Sequence, residues 1–256
     1  MRSLYGLAVA VTAFLIASPV SAWAQQQPPS QGQAAPGRGP RIGFPGSPTA
    51  DGSRAVTDGG IRIAGWEGRI DPNEVQAGMT IKDAMLEKKG DGLHVVTGPA
   101  VSYWKTGDKA SGDYAVKATF TEPKYMNLNT HSHPYGVFIA GNDVGTPAQT
   151  ELYCAAYGNG NFIVRGFGPA PFQMNERGPN EAVHKGAGQG QSLTQEVALS
   201  IKGGKVECAI NGTVVASYDK AAVVTDGKLK STNGVFGLRF AHNTEVTVTG
   251  FALTKN

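Results

Sequence analysis

Cysteine is nearly absent: only two occur in 256 residues, with no Cys-x-x-Cys, which excludes a zinc ribbon and a thioredoxin-like redox motif. Basic runs are absent too. The formal net charge is only +3 and no stretch holds five consecutive Lys or Arg, so neither nucleic acid nor an anionic membrane surface is an expected partner. A Gly-x-Ser-x-Gly elbow with its Ser-His-Asp order, a phosphate-cradling glycine loop and an EF-hand loop are missing. The run Gly186–Gly190 lacks the strand-then-helix setting that would give its glycines such a role. Helical periodicity is scarce. Its one window, Ala77–Lys89, alternates at Met79-Thr-Ile-Lys, so a strand is expected from Met79 to Glu87.

Glycine, by contrast, is abundant, 35 residues, which suits many tight turns and disfavours helix interiors. Short β-type segments recur from Gly60 onward, over 61–66, 93–97, 100–104, 114–121, 135–140, 151–157, 161–167 and 195–201. Clusters such as Lys89-Gly-Asp-Gly92 and Gly158-Asn-Gly160 separate them. Asn211-Gly212 lies between two β-rich runs, and both residues accept the positive φ of a type I′ hairpin turn. Farther on, Val246 and Val248, then Phe251 and Leu253, alternate with small or polar residues, as in a strand with one face in a core. That face needs a second layer to bury it. The expected fold is therefore all-β, a two-sheet antiparallel β-sandwich of the jelly-roll kind.

The ends read differently. Met1–Ala24 has a charged start at Arg2, an apolar centre and an Ala-x-Ala site, the pattern of a signal peptide. Residues 25–50 form a Pro/Gln/Gly-rich linker without apolar periodicity, and 51–256 form the domain. A periplasmic or secreted location follows, with a membrane involved only if the leader stays uncleaved. Cys154 and Cys208 lie in predicted strands of a chain bound for an oxidising compartment. They either bridge or sit apart as small buried residues.

Alternation also points to a ligand face. Where Leu238 and Phe240 face the core, Arg239 faces the other side of its sheet. Tyr153 and Tyr157 share a face, and Arg165 alternates with Val164. If these strands are neighbours, Tyr153, Tyr157, Arg165 and Arg239 make one polar aromatic patch, with Asn243 nearby. Stacking on rings and charge-assisted hydrogen bonds would hold a sugar there. Arg239, outside the core, is expected to be replaceable by alanine with little loss of stability. His131-Ser-His133 lacks an identifiable third ligand and precedes Pro134, so a surface loop is expected and no metal site. The Gly- and Pro-rich stretch Gly166–Gln191, which includes Glu181 and His184, is long enough to be a functional loop.

Several short motifs occur in a particular order: Gly65-Trp-Glu-Gly-Arg-Ile-Asp71, Thr97-Gly-Pro-Ala100 before Tyr103-Trp104, and Tyr135-Gly-Val-Phe-Ile-Ala-Gly141. Then come the hairpin Tyr153–Arg165, Asn180-Glu-Ala-Val-His184, Ile210-Asn-Gly212 and Gly237-Leu-Arg-Phe-Ala-His-Asn243. Together they resemble the secreted bacterial concanavalin A-like jelly-roll domains of the 3-keto-disaccharide hydrolase-like family, formerly a domain of unknown function. The resemblance implies a carbohydrate ligand and an exported cell-envelope recognition domain. It equally allows a hydrolase or lyase acting on a glycoside, a 3-keto-glycoside included, with Glu181, His184 and His242 as acid-base candidates. A keto group acidifies a neighbouring C–H, so a single base and an electrophile suffice for elimination. The Glu-x-Asp-x-x-Glu string of laminarinase-like jelly rolls is missing, and with it their retaining mechanism. No cofactor follows from the sequence.

Overall fold

The computed structural model describes residues 52–127 and 129–255. The expected signal segment and linker lie outside the described residues. Among the described residues no helix is long and apolar enough to cross a membrane. In chain order the strands are β1 (Gly60–Ile61), β2 (Trp66–Ile70), β3 (Ala84–Lys89), β4 (Gly92–Thr97), β5 (Val101–Ala110), β6 (Tyr114–Glu122), β7 (Pro134–Asn142) and β8 (Thr150–Tyr157). They continue as β9 (Asn161–Phe167), β10 (Pro171–Gln173), β11 (Gly178–Pro179), β12 (Leu193–Lys202), β13 (Lys205–Ile210), β14 (Thr213–Asp219), β15 (Gly234–Phe240) and β16 (Glu245–Lys255). Two short helices are α1 (Pro72–Gln76) and α2 (Lys220–Val223).

These strands form two sheets, a β-sandwich. The first runs β1-β3-β4-β16-β6-β12-β13-β14, and the second runs β10-β9-β8-β7-β15-β5-β2, with β11 also paired to β9. Every pairing is antiparallel except the two-residue match of β1 with β3. The facing sides interdigitate around fully buried Tyr103, Tyr114, Tyr135, Phe120, Leu152, Leu199, Leu238 and Phe240. Asn211 (φ 50°) and Gly212 (φ 81°) turn the β13/β14 hairpin as their residue types require. In β16 the pairing with β6 shifts between Thr249 and Ala252, at Gly250 (φ 62°). That bulge is why the apolar alternation changes phase between Val248 and Phe251.

The strand expected from Met79 starts only at Ala84, after a 3-10 turn at Ile81–Asp83. A capping box sets the turn, with the Thr80 N–H donating to Asp83 Oδ2 (2.8 Å) and Lys82 N–H to Thr80 Oγ1 (3.3 Å). Helix α1 is an element the apolar pattern does not show; Pro72 in its first turn after Asp71 is its start signal.

Cys154 of β8 and Cys208 of β13 are bridged, with Cα atoms 5.9 Å apart, so a covalent link joins the two sheets through the core.

At the end of β6, burial drives the Glu122 carboxyl up to about 7, against a hydrogen bond from Met126 N–H (3.3 Å) and the charge of Arg54. A folded-state value above the ordinary 4.5 means that the native state pays to ionise. The contribution of Glu122 to stability is therefore greatest at low pH and falls as pH rises from about 4.5 through about 7. Glu122→Gln, which keeps the acceptor for Met126, is expected to stabilise the protein by roughly 2 kcal/mol at pH 8. The gain should vanish near pH 4.5 in denaturant titrations; a gain independent of pH would refute this account.

Candidate functional site

The second sheet turns one face to the core and the other away from it, and the outward positions fall into cross-strand rows. In one row Arg69, Ser102, Arg239, Gly136, Ala155 and Ile163 lie opposite one another across β2, β5, β15, β7, β8 and β9. The next row reads Glu67, Trp104, Gly237, Phe138, Tyr153 and Arg165. Strand β7 therefore separates Arg239 from Tyr153. Its outward residue beside Arg239 is Gly136, where a Cβ would collide with the Cys154 carbonyl, so the position stays bare. The Arg239 guanidinium spans that gap, 5.1 Å from the Tyr153 ring centroid and 5.3 Å from that of Phe167.

A buried charge network underlies these contacts. Arg239 holds Asp71 through two parallel hydrogen bonds, Nη1 to Oδ1 (2.5 Å) and Nη2 to Oδ2 (2.6 Å). Asp71 sits between β2 and α1, fixed by its own N–H on the Ala100 carbonyl (3.0 Å). Arg239 Nη1 also reaches Ser102 Oγ (3.4 Å), whose hydroxyl donates to Glu151 Oε1 (2.6 Å), while Gln149 Nε2 donates to Glu151 Oε2 (2.9 Å). Burial opposes the charge on Arg239, but Asp71 outweighs it and holds the guanidinium above its ordinary range. Glu151 is completely buried, and burial pushes its carboxyl up despite the Arg239 charge and the Ser102 hydrogen bond.

Over this floor lies a cleft of about 630 Å³. One wall is the turn Gly168–Pro171 with Arg177, another is α1, and a third is formed by His131–Pro134 with Ala241 and His242. Arg177 lies over the Tyr157 ring at 5.5 Å. The third wall continues a strand pairing: Phe240 pairs with Tyr135, and Ala241 N–H donates to the Pro134 carbonyl (3.0 Å). His242 thereby comes beside His133, their ring centroids 4.4 Å apart, with the His131 ring 4.4 Å from that of His133.

Of the residues singled out in the sequence, Tyr153, Tyr157, Arg165, Arg239 and His242 line this cleft. Glu181, His184 and Asn243 do not. Glu181 and His184 are exposed on a turn that folds back onto β12: His184 Nδ1 is 2.8 Å from the Thr194 carbonyl, and its N–H donates to Gln195 Oε1 (2.9 Å). Asn243 is structural in this position, because its amide accepts from Arg54 N–H (2.7 Å) and donates to the Gly52 carbonyl (2.8 Å). Arg239 also departs from expectation, since it is only 6% exposed and anchors the network beneath the cleft. It cannot be removed without a stability cost. Asp71 and Ser102 were not legible as site residues. Glu151 is not among the expected site residues either, although parity alone puts it on the face of Tyr153 and Tyr157 along β8.

No family model matches the chain, and no curated protein matches it. Among solved structures, it is similar to a Bacillus subtilis protein of unknown function with a galectin-like fold, at 12% identity and TM-score 0.52, covering 74% of this chain and 89% of that one. It is also similar to the carbohydrate-binding module CBM66 from Bacillus subtilis, at 8% identity and TM-score 0.48, covering 77% and 99%. A third is the GH16 of a Bacteroides ovatus mixed-linkage glucan PUL in complex with its G4G4G3G product, at 12% identity and TM-score 0.42, covering 72% and 91%. The galectin-like likeness supports the jelly-roll fold.

Proposed function

We propose that the outer-face cleft binds a short carbohydrate. One observation carries this reading: Tyr153, Tyr157 and Phe167 share a single cleft of about 630 Å³ with Arg165, Arg177 and Asp71. That volume is within the range of small-ligand sites. The partly exposed Phe167 ring and the cleft-facing edges of Tyr153 and Tyr157 supply apolar surface for the C–H groups of a pyranose, and the charged groups supply directed hydrogen bonds to its hydroxyls. The arginines in the walls favour a sugar that presents electron-rich oxygens to them. An exported, cell-envelope role belongs to the same proposal and rests on the leader-like residues 1–24.

Binding of a glycan panel followed by calorimetry tests it. Tyr157→Leu, which keeps apolar bulk but loses the ring, and Arg165→Gln, which loses the charge, are each expected to weaken binding about tenfold. The idea is lost if no glycan binds at millimolar concentration, or if both folded variants bind as tightly as the parent.

Cleavage of a glycoside is the second reading, and the placement of His242 in the cleft favours it. Glu151 is too deeply buried to reach a substrate directly, so the groups of the lining able to move a proton are the imidazoles and the partly exposed Glu74 carboxyl on α1. Release of product from a 3-keto-glycoside, but not from its unoxidised counterpart, distinguishes this reading from simple binding.

A further inference from the structure

We propose that His131, His133 and His242 form a binding site for one divalent transition-metal ion in the wall of the cleft. Each imidazole offers one nitrogen, and the three nitrogens lie within 4.8 Å of one another. Nitrogens on a tetrahedral zinc ion, with bonds of 2.0–2.1 Å, stand about 3.3 Å apart. The remaining contraction, at most about 1.5 Å per pair, is of the size that rotation about side-chain torsions supplies.

Backbone pairing makes the cluster a consequence of the fold. The β15/β7 ladder, carried one step past its last paired residues by the hydrogen bond from Ala241 to Pro134, sets His242 opposite His133. His131 stands two residues before His133, and its ring centroid is 6.5 Å from that of His242. Three imidazoles are the donor set that zinc, cobalt, nickel and copper prefer over magnesium or calcium, which take oxygen ligands. Among the described residues, this is the group of histidines and acids that meets the geometry of a metal site.

Three protein ligands leave a coordination position for water or for an oxygen of a bound molecule, as in catalytic rather than structural zinc sites. His131, His133 and His242 all line the cleft, so that position is accessible to its occupant. Under the carbohydrate reading, on which this last step alone rests, the ion would take a hydroxyl or carbonyl oxygen of the sugar.

The metal is tested first, without any sugar. The full chain, stripped with a chelator, is titrated with Zn²⁺ and with Co²⁺ by calorimetry, and the visible Co²⁺ spectrum is recorded. One ion per chain with micromolar or tighter affinity is expected. His133→Ala and His242→Ala should each weaken binding at least about 100-fold, the upper end of what losing a mere supporting contact does. His184→Ala, outside the cleft, should retain full stoichiometry. Substoichiometric binding, or unchanged affinity in both variants, overturns the site. If those variants fail to fold, His131→Ala, at a ligand less buried than His133, and the parent's Co²⁺ spectrum decide: an octahedral, water-like spectrum rejects it. Adding a glycan that binds should then alter the Co²⁺ spectrum. Binding without spectral change places the sugar off the metal and leaves the metal site standing, whereas failure of the metal titration leaves the carbohydrate reading untouched.

Discussion

Replacing Arg239 with alanine is expected to destabilise the protein by about 3–5 kcal/mol, because it removes one partner from a buried ion pair and leaves the other behind. The Arg239 and Asp71 side chains are only 7% and 16% exposed, so water from the cleft replaces the lost partner only in part. Two hydrogen bonds to Asp71 go at once, as does the cation that opposes the burial of Glu151. A loss of that size is a large share of the about 5–15 kcal/mol by which a domain is normally stable. It should lower the melting temperature by about 10 °C or more. Pairing the change with Asp71→Asn isolates the cause: the double variant should recover part of the loss, as the orphaned charge is gone. A melting temperature within a degree or two of the parent would show that the network is slack. The same measurement guards the functional tests, since loss of ligand by an Arg239 variant would report unfolding as readily as lost contact.

Removing the disulfide by Cys154→Ala with Cys208→Ala should cost about 4 kcal/mol. The bridge closes a loop with a sequence separation of 54, and the chain-entropy relation for a loop of that length gives about 4 kcal/mol from the unfolded state alone. Both residues are fully buried, so the lost sulfur atoms also leave space in the core. Denaturant titration of the parent, the double variant and each single variant measures this. A loss below about 1 kcal/mol would mean that the unfolded chain keeps these segments close without the bond.

The sandwich was readable because its signals are local. Asn211-Gly212 specifies its own turn, and alternation in β8, β9 and β15 sorted Tyr153, Arg165 and Arg239 from Cys154, Val164 and Leu238 without any knowledge of neighbours. What alternation cannot supply is adjacency. That β7 lies between β8 and β15, with Gly136 as the gap that lets Arg239 reach Tyr153, is a property of long-range pairing. The same holds for the histidines, since His131-Ser-His133 looked incomplete while its third member lay beyond β15. Asp71 belonged to a recognised motif, yet only the fold shows it as the partner of a distant arginine. Glu181 and His184 are near neighbours in a long Gly- and Pro-rich stretch, which suggests a shared site. That length serves two separate purposes: 168–171 edges the cleft, while Val183 is buried and Ala182 accepts from Asn211 Nδ2 (2.7 Å), tying the hairpin turn down.

The strand order has a further consequence for how the chain comes to be folded. Strands β15 and β16, which follow all the others in chain order among the described residues, are interior members of their sheets, β15 between β7 and β5 and β16 between β4 and β6. Until they are in place each sheet exists as two separate pieces, and β4, β5, β6 and β7 each present an unpaired edge. Neither the Arg239 network nor the histidine cluster exists in that state, because Arg239 and His242 arrive with the closing segment. A chain in which β15 and β16 are not yet paired therefore carries open edges on β4, β5, β6 and β7, and closing them needs contacts distant in sequence, the kind that form slowly. Cleft and sandwich are completed by the same segment.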